Sequence, residues 1–190
     1  VDLLANLSAL PHHESESTRK KIELAVGIGK ELKLDDQALT NLRRATRLHR
    51  LGWCALPQGL TSKSLTQMSA QELEQFKHHP LFAESLLLNV PELSAVAKII
   101  KSQHETFEGS GFPERIATEG IPLASKIVAV VRDYYDALSG RWRDGAVTGA
   151  VAYKEILSLS AKAYDPQVVA AFKKVLPTHE KVNVQALEAL

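Results

Sequence analysis

Wherever this chain is apolar, its apolar residues recur at helical intervals, and no stretch alternates in the manner of a strand. Ile22, Ala25, Val26, Ile28 and Leu32 form one stripe of a helix over residues 16–34, with charges between them. Asp35 or Asp36 caps a second helix carrying Ala38, Leu39, Leu42, Ala45, Thr46 and Leu48, which runs into His49-Arg50-Leu51-Gly52 and stops at Gly52 and Pro57. Residues 53–66 lack periodicity and hold Pro57, Gly59 and several Ser and Thr, so a loop is expected. Ser69-Ala-Gln-Glu72 is a capping box for a helix over 70–89, with Leu73, Phe76, Leu86 and Leu87 inward and Pro80 kinking or dividing it. Pro91 opens a helix through Leu93, Val96, Ala97, Ile99 and Ile100 to Gln103, and a Gly-rich loop follows over 106–120. Pro122 opens another helix that ends at Gly140, and shorter helices are expected over 147–161 and, capped by Asp165, over 166–176. The pattern predicts an all-α bundle of about seven helices.

At 190 residues the chain can bury one substantial core, and 1–190 reads as a single domain. A net charge of +1 gives no field that would draw the whole chain to a nucleic-acid polymer. No apolar run approaches the roughly 18 residues that a membrane span needs. The lone Cys54 excludes an internal disulfide framework and fits a reducing compartment, so a cytoplasmic location is expected. The chain begins at Val1, as the C-terminal part of a longer protein would.

Chemistry concentrates at the expected helix ends. His49 closes the second helix, His79 lies within the third, His104 ends the fourth and Asp133 lies in the fifth. Imidazole nitrogen and carboxylate oxygen from several helices suit Fe, Mn or Zn. Metals bridged by such groups generate a hydroxide and neutralise the charge that develops at phosphorus. His104-Glu105 is followed by Gly109-Ser-Gly111-Phe112-Pro113, a turn that joins flexible glycines to an aromatic face. Generic helix packing does not call for that order.

The stretch Gln103-His104-Glu105…Gly109-Ser-Gly111-Phe112-Pro113…Ile121-Pro-Leu…Asp133…Asp136-Ala-Leu138 resembles the HD-GYP family over nearly the whole chain. The resemblance implies a helical bundle of the HD superfamily and hydrolysis of the bacterial second messenger cyclic di-GMP at bound metals. His49, His79, His104 and Asp133 match family ligands in type. The family's first pair, Glu-x-x-x-His, falls on His13 and Ser17, where His13 keeps a ligating group. Its His-Asp falls on His49-Arg50, its lysine on Trp53, and the first His of its His-His-Glu on Gln103. Ser17, Arg50, Trp53 and Gln103 therefore stand against the site. Arg50 weighs most, because a guanidinium about 4 Å from a metal is repelled by roughly 4 kcal/mol per unit charge at an effective dielectric of about 20. Asp133 then has Arg50 or Arg132 as partner, and Trp53 is expected to fill space that metals vacate.

Gly109, Gly111, Phe112 and Pro113 are expected to form a ligand or partner platform, or else to tuck Phe112 inward. Arg141 and Arg143 lie near where the family carries a phosphate-meeting Arg; as a basic pair after a helix end they also fit a dipole partner at the surface. The leading expectation is a catalytically degenerate HD-GYP-like module for regulation or protein interaction in cyclic di-GMP or two-component signalling. Its partner would be a signalling domain such as the GGDEF type, and it would carry no cofactor. The alternatives are a phosphodiesterase with Fe or Mn in a reduced site, and a receptor that holds cyclic di-GMP without cleaving it.

Overall fold

The computed structural model describes residues 15–141 and 145–180. His13 and Arg143, both singled out above, lie outside them. Helix α1 spans Glu16–Glu31 and is capped by Ser15, whose hydroxyl accepts from the Thr18 amide at 3.2 Å. Helix α2 spans Asp36–Leu48 and is capped by Asp35, which accepts from the Ala38 amide at 2.7 Å. The expected loop after it is built of three short 3₁₀ turns, Leu51–Ala55, Leu60–Ser62 and Leu65–Gln67. Both bonds of the Ser69–Glu72 capping box are present at the start of α3, Ala70–Lys77.

Pro80 divides the helix expected over 70–89, because it has no N–H for the ladder of a continuous helix. It sits in the first turn of α4, His79–Leu87, so His79 opens a helix and does not lie inside one. Phe76 and Leu87 are buried as expected, whereas Leu73 and Leu86 are half-buried. Helix α5 is confined to Ser94–Lys101, with 3₁₀ turns at Pro91–Leu93 and Ser102–His104. His104 is thus held by a 3₁₀ turn instead of a helix end. Helix α6 spans Leu123–Leu138, α7 Gly149–Ser158 and α8 Pro166–Glu180.

These eight helices, seven if α3 and α4 count as one divided helix, contain no strand among the described residues, only an isolated bridge between Ser160 and Tyr164. Helix α6 is the axis of the packing. Every residue from Ile127 to Ala137 is buried, and α6 meets α1, α2, α5, α7 and α8. A helix buried on all sides is an interior helix, so Arg132, Asp133 and Asp136 on it are buried charges that need partners. No helix among the described residues is long and apolar enough to cross a membrane.

Candidate functional site

Three elements meet near the middle of α6: the end of α2, the start of α4 and the Ser102–His104 turn. Gly52 permits the first approach. A Cβ there would fall 1.9 Å from the carbonyl oxygen of His79, so only glycine lets the turn after His49-Arg50 lie on α4. Gly111 permits the second, since a Cβ would fall 2.4 Å from the His104 carbonyl oxygen. Positive φ belongs to Gly109 at +82°, so the two glycines of the turn do different work.

His49 is buried, and its Nδ1 lies 2.7 Å from the Thr46 carbonyl; His79 repeats the arrangement with the Phe76 carbonyl at 2.7 Å. A carbonyl only accepts, so each Nδ1 carries the proton and each Nε2 presents a lone pair. The His79 Nε2 lies 3.2 Å from the His104 Nε2, which makes His104 the donor between them. Burial holds all three imidazoles neutral. It lowers His79 to about 4 and drives His49 and His104 well below the ordinary value, with nearby cations adding to the effect. The His49 Nε2 is buried without a hydrogen-bond partner among the described residues. Phe112 is half-buried and stacks on His104, with centroids 4.5 Å apart and planes 14° apart, so one face of its ring is already covered. Pro113 follows through a cis peptide.

Asp133 does not point a free carboxylate at these histidines. Its Oδ1 accepts from Arg132 Nε at 2.5 Å and its Oδ2 from the Tyr164 hydroxyl at 3.0 Å. Burial pushes Asp133 up to about 6 against the pull of the Arg132 guanidinium. Arg132 Nη1 also donates to the Gln103 carbonyl at 2.6 Å. Gln103 is fully buried, and its amide donates to the His49 carbonyl at 2.8 Å. It therefore ties two backbone segments together and supplies no imidazole.

Arg50 does not swing away. It donates to Asp136 Oδ1, and its guanidinium carbon lies 4.4 Å from the Trp53 ring centroid. Arg141 covers the same ring at 4.2 Å and donates to the Thr61 carbonyl. Both guanidinium groups thus pack on the Trp53 ring, which also meets the His79 ring nearly perpendicularly at a centroid distance of 6.4 Å. Arg141 is drawn back over the centre and is not simply a solvated surface cation. Ser17 is exposed in the first turn of α1, and one turn further on Lys21 is buried. Burial and then the repulsion of Arg50 hold the Lys21 ammonium down to about 8.

Arg132, Asp136, Tyr164 and Lys21 make the charge balance of the centre, yet the sequence reading gave them no role beyond Arg132 as a pairing partner of Asp133. Arg132 and Asp136 carried a signal, as charges directly after the apolar run Ile127–Val131. Tyr164, 31 residues beyond Asp133, carried none. Among the described residues, the donor set does not fit a bridged metal pair. No three of their His, Cys, Asp or Glu side chains stand together at metal-binding geometry. Both carboxylates of α6 are bound to arginines.

Three hollows surround the centre. A cavity of about 560 Å³ lies between α6, α7 and the loop, bounded by His104, Phe112, Arg132, Asp133, Ile156 and Tyr164. A space of about 20 Å³ lies among His49, Arg50, Trp53 and Arg141. A groove of about 260 Å³ runs between Lys77, Leu81, Phe112, Pro113 and Arg115.

The sequence profile of the HD domain family matches residues 2–168. A cyclic di-GMP phosphodiesterase of Thermotoga maritima is 29% identical over 180 residues, covering 92% of this chain and 49% of its own. The cyclic di-GMP phosphodiesterase response regulator RpfG of Xanthomonas campestris is 30% identical over 147 residues, 76% of this chain and 38% of its own. The chain spans about half or less of the length of these relatives. Among solved structures, the Bdellovibrio bacteriovorus HD-GYP-type protein Bd1817 superposes with a TM-score of 0.70 at 19% identity, over 84% of this chain and 51% of that one.

Proposed function

The chain belongs to the HD domain family and, within it, to the HD-GYP proteins, and from that premise we propose that it is a non-hydrolysing member serving bacterial cyclic di-GMP signalling as a regulatory module. One observation carries the reading: arginines hold the two carboxylates of α6, Arg132 on Asp133 and Arg50 on Asp136. A metal at this centre would have to displace a buried guanidinium from its carboxylate and then sit beside it, where like charges repel. Burial holds His49, His79 and His104 neutral. Three imidazoles without a free carboxylate form a poor site for Fe or Mn.

A receptor that holds the nucleotide without cleaving it is favoured by the 560 Å³ cavity, which meets the charged centre at Arg132 and His104. The groove beside Phe112 and Pro113, next to the exposed Leu81 and Phe82, is the face on which a signalling domain such as the GGDEF type would dock.

Elemental mass spectrometry on untagged protein reloaded with Fe or Mn, paired with a cyclic di-GMP hydrolysis assay, tests the reading. The expected result is less than one metal per chain and no turnover. Two metals per chain with chelator-sensitive turnover would overturn it.

A further inference from the structure

The cations at the centre outnumber its carboxylates. Lys21, Arg50, Arg132 and Arg141 gather around Asp133 and Asp136. Arg132 takes Asp133 and Arg50 takes Asp136, while neither Lys21 nor Arg141 forms an ion pair among the described residues. A buried cation without a counter-ion is costly. Two guanidinium N–H groups, Arg50 Nε and Arg141 Nη2, are buried with no hydrogen-bond partner among the described residues. Both arginines border the 20 Å³ space beside Trp53, which is room for one oxygen-sized group. The Arg50 side chain is 36% exposed, so the cluster is open to solvent on one side.

We propose that Arg50, Trp53 and Arg141 form a metal-free binding site for a phosphate group. The indole packs against both guanidinium groups, at 4.4 Å for Arg50 and 4.2 Å for Arg141, and so holds two fork-shaped donors in place before a ligand arrives. One phosphate oxygen enters the small space and accepts from Arg50 Nε and Arg141 Nη2, while the others face solvent. The anion offsets the positive charge that Lys21 and Arg141 leave uncompensated. The proposal rests on the reading that the centre works without metal. It adds the chemical class of the ligand and the residues that meet it. The phosphate belongs either to a free inorganic anion or to the phosphodiester of a nucleotide.

Calorimetric titration of the chain in excess chelator tests this, with inorganic pyrophosphate and cyclic di-GMP as probes. At least one is expected to bind. Arg141→Gln and Arg50→Lys are each expected to weaken that binding about tenfold, or roughly 1.4 kcal/mol. The first removes a charge at a partly exposed position, and the second keeps the charge but removes the fork. Binding of pyrophosphate alone assigns a free anion, and binding of cyclic di-GMP alone assigns a phosphodiester. No binding of either probe to folded wild-type chain overturns the proposal, as does binding that both variants leave unchanged. If a variant fails to fold, the salt series on the wild type decides: affinity must fall as chloride rises, and a flat series overturns the site. A metal-loaded chain that hydrolyses cyclic di-GMP would instead sink the non-hydrolysing reading. A chain that neither hydrolyses nor binds would sink only the phosphate site.

Discussion

Arg132 and Arg50 each neutralise one carboxylate of α6, but they stand in different dielectric surroundings. Arg132 and Asp133 are both buried, so Arg132→Met strands a charge in the core and is expected to cost about 3–5 kcal/mol in urea unfolding. The double change Arg132→Met with Asp133→Leu should recover most of that, since it removes both charges; no recovery would mean that the pair does not act as a unit. Arg50 is partly exposed, so water screens the loss and Arg50→Ala should cost only about 1–2 kcal/mol. The histidines set the response to acid. An imidazole whose folded pKa is lowered binds fewer protons folded than unfolded, so its stabilisation is fully present above about 6.5 and is lost as the pH falls below that. With His79 at about 4, its share of the loss at pH 5 is about 2 kcal/mol. Asp133 works in the opposite direction. Its folded value of about 6 exceeds the free 3.8, so its contribution is lost as pH rises through about 6. Three histidines outweigh one carboxyl, and net destabilisation from pH 7 to 5 is expected. Urea midpoints at the two pH values check this, and His79→Gln should flatten the difference; an unchanged difference would clear His79 of the role.

Among the elements, the turn Leu51–Ala55 is the most tightly constrained. Gly52→Ala must push α4 away from the end of α2, because the added carbon would sit 1.9 Å from the His79 carbonyl oxygen. A loss of about 1–3 kcal/mol is expected by thermal unfolding, together with altered Trp53 fluorescence as the indole leaves its two guanidinium partners. The helices around this turn were legible in the sequence because their signals are local. Ser15 and Asp35 accept from the third amide beyond them, Ser69 and Glu72 complete their box, and Pro80 breaks the ladder where it stands. The spacing of His49, His79 and His104 was legible too, since each lies at an element boundary with a carbonyl or ring fixing it. What the sequence did not disclose is long-range pairing. Asp133 could be read as a ligand because nothing local shows that Tyr164 and Arg132 occupy both its oxygens. Arg141 could be read either as a phosphate contact or as a surface cation, because its contacts with Trp53 and Thr61 cross some eighty residues of chain.

Across the molecule, α6 joins these parts, since it touches five other helices and carries the charges that bind the centre. With one shared buried helix, the described helices should unfold as a unit. Circular dichroism at 222 nm and calorimetry should give one coincident transition; two separated transitions would show that α7 and α8 form their own unit. Arg50 on Asp136 and Arg132 on Asp133 also govern what this lineage can become. Changing Arg50 to aspartate alone would set a third carboxylate beside two buried ones, and removing Arg132 alone would leave Asp133 stranded. Each single step toward free carboxylates at this centre therefore passes through a less stable protein, and only coordinated changes avoid it. The two arginine–carboxylate pairs thus work as a ratchet that resists their own piecemeal removal.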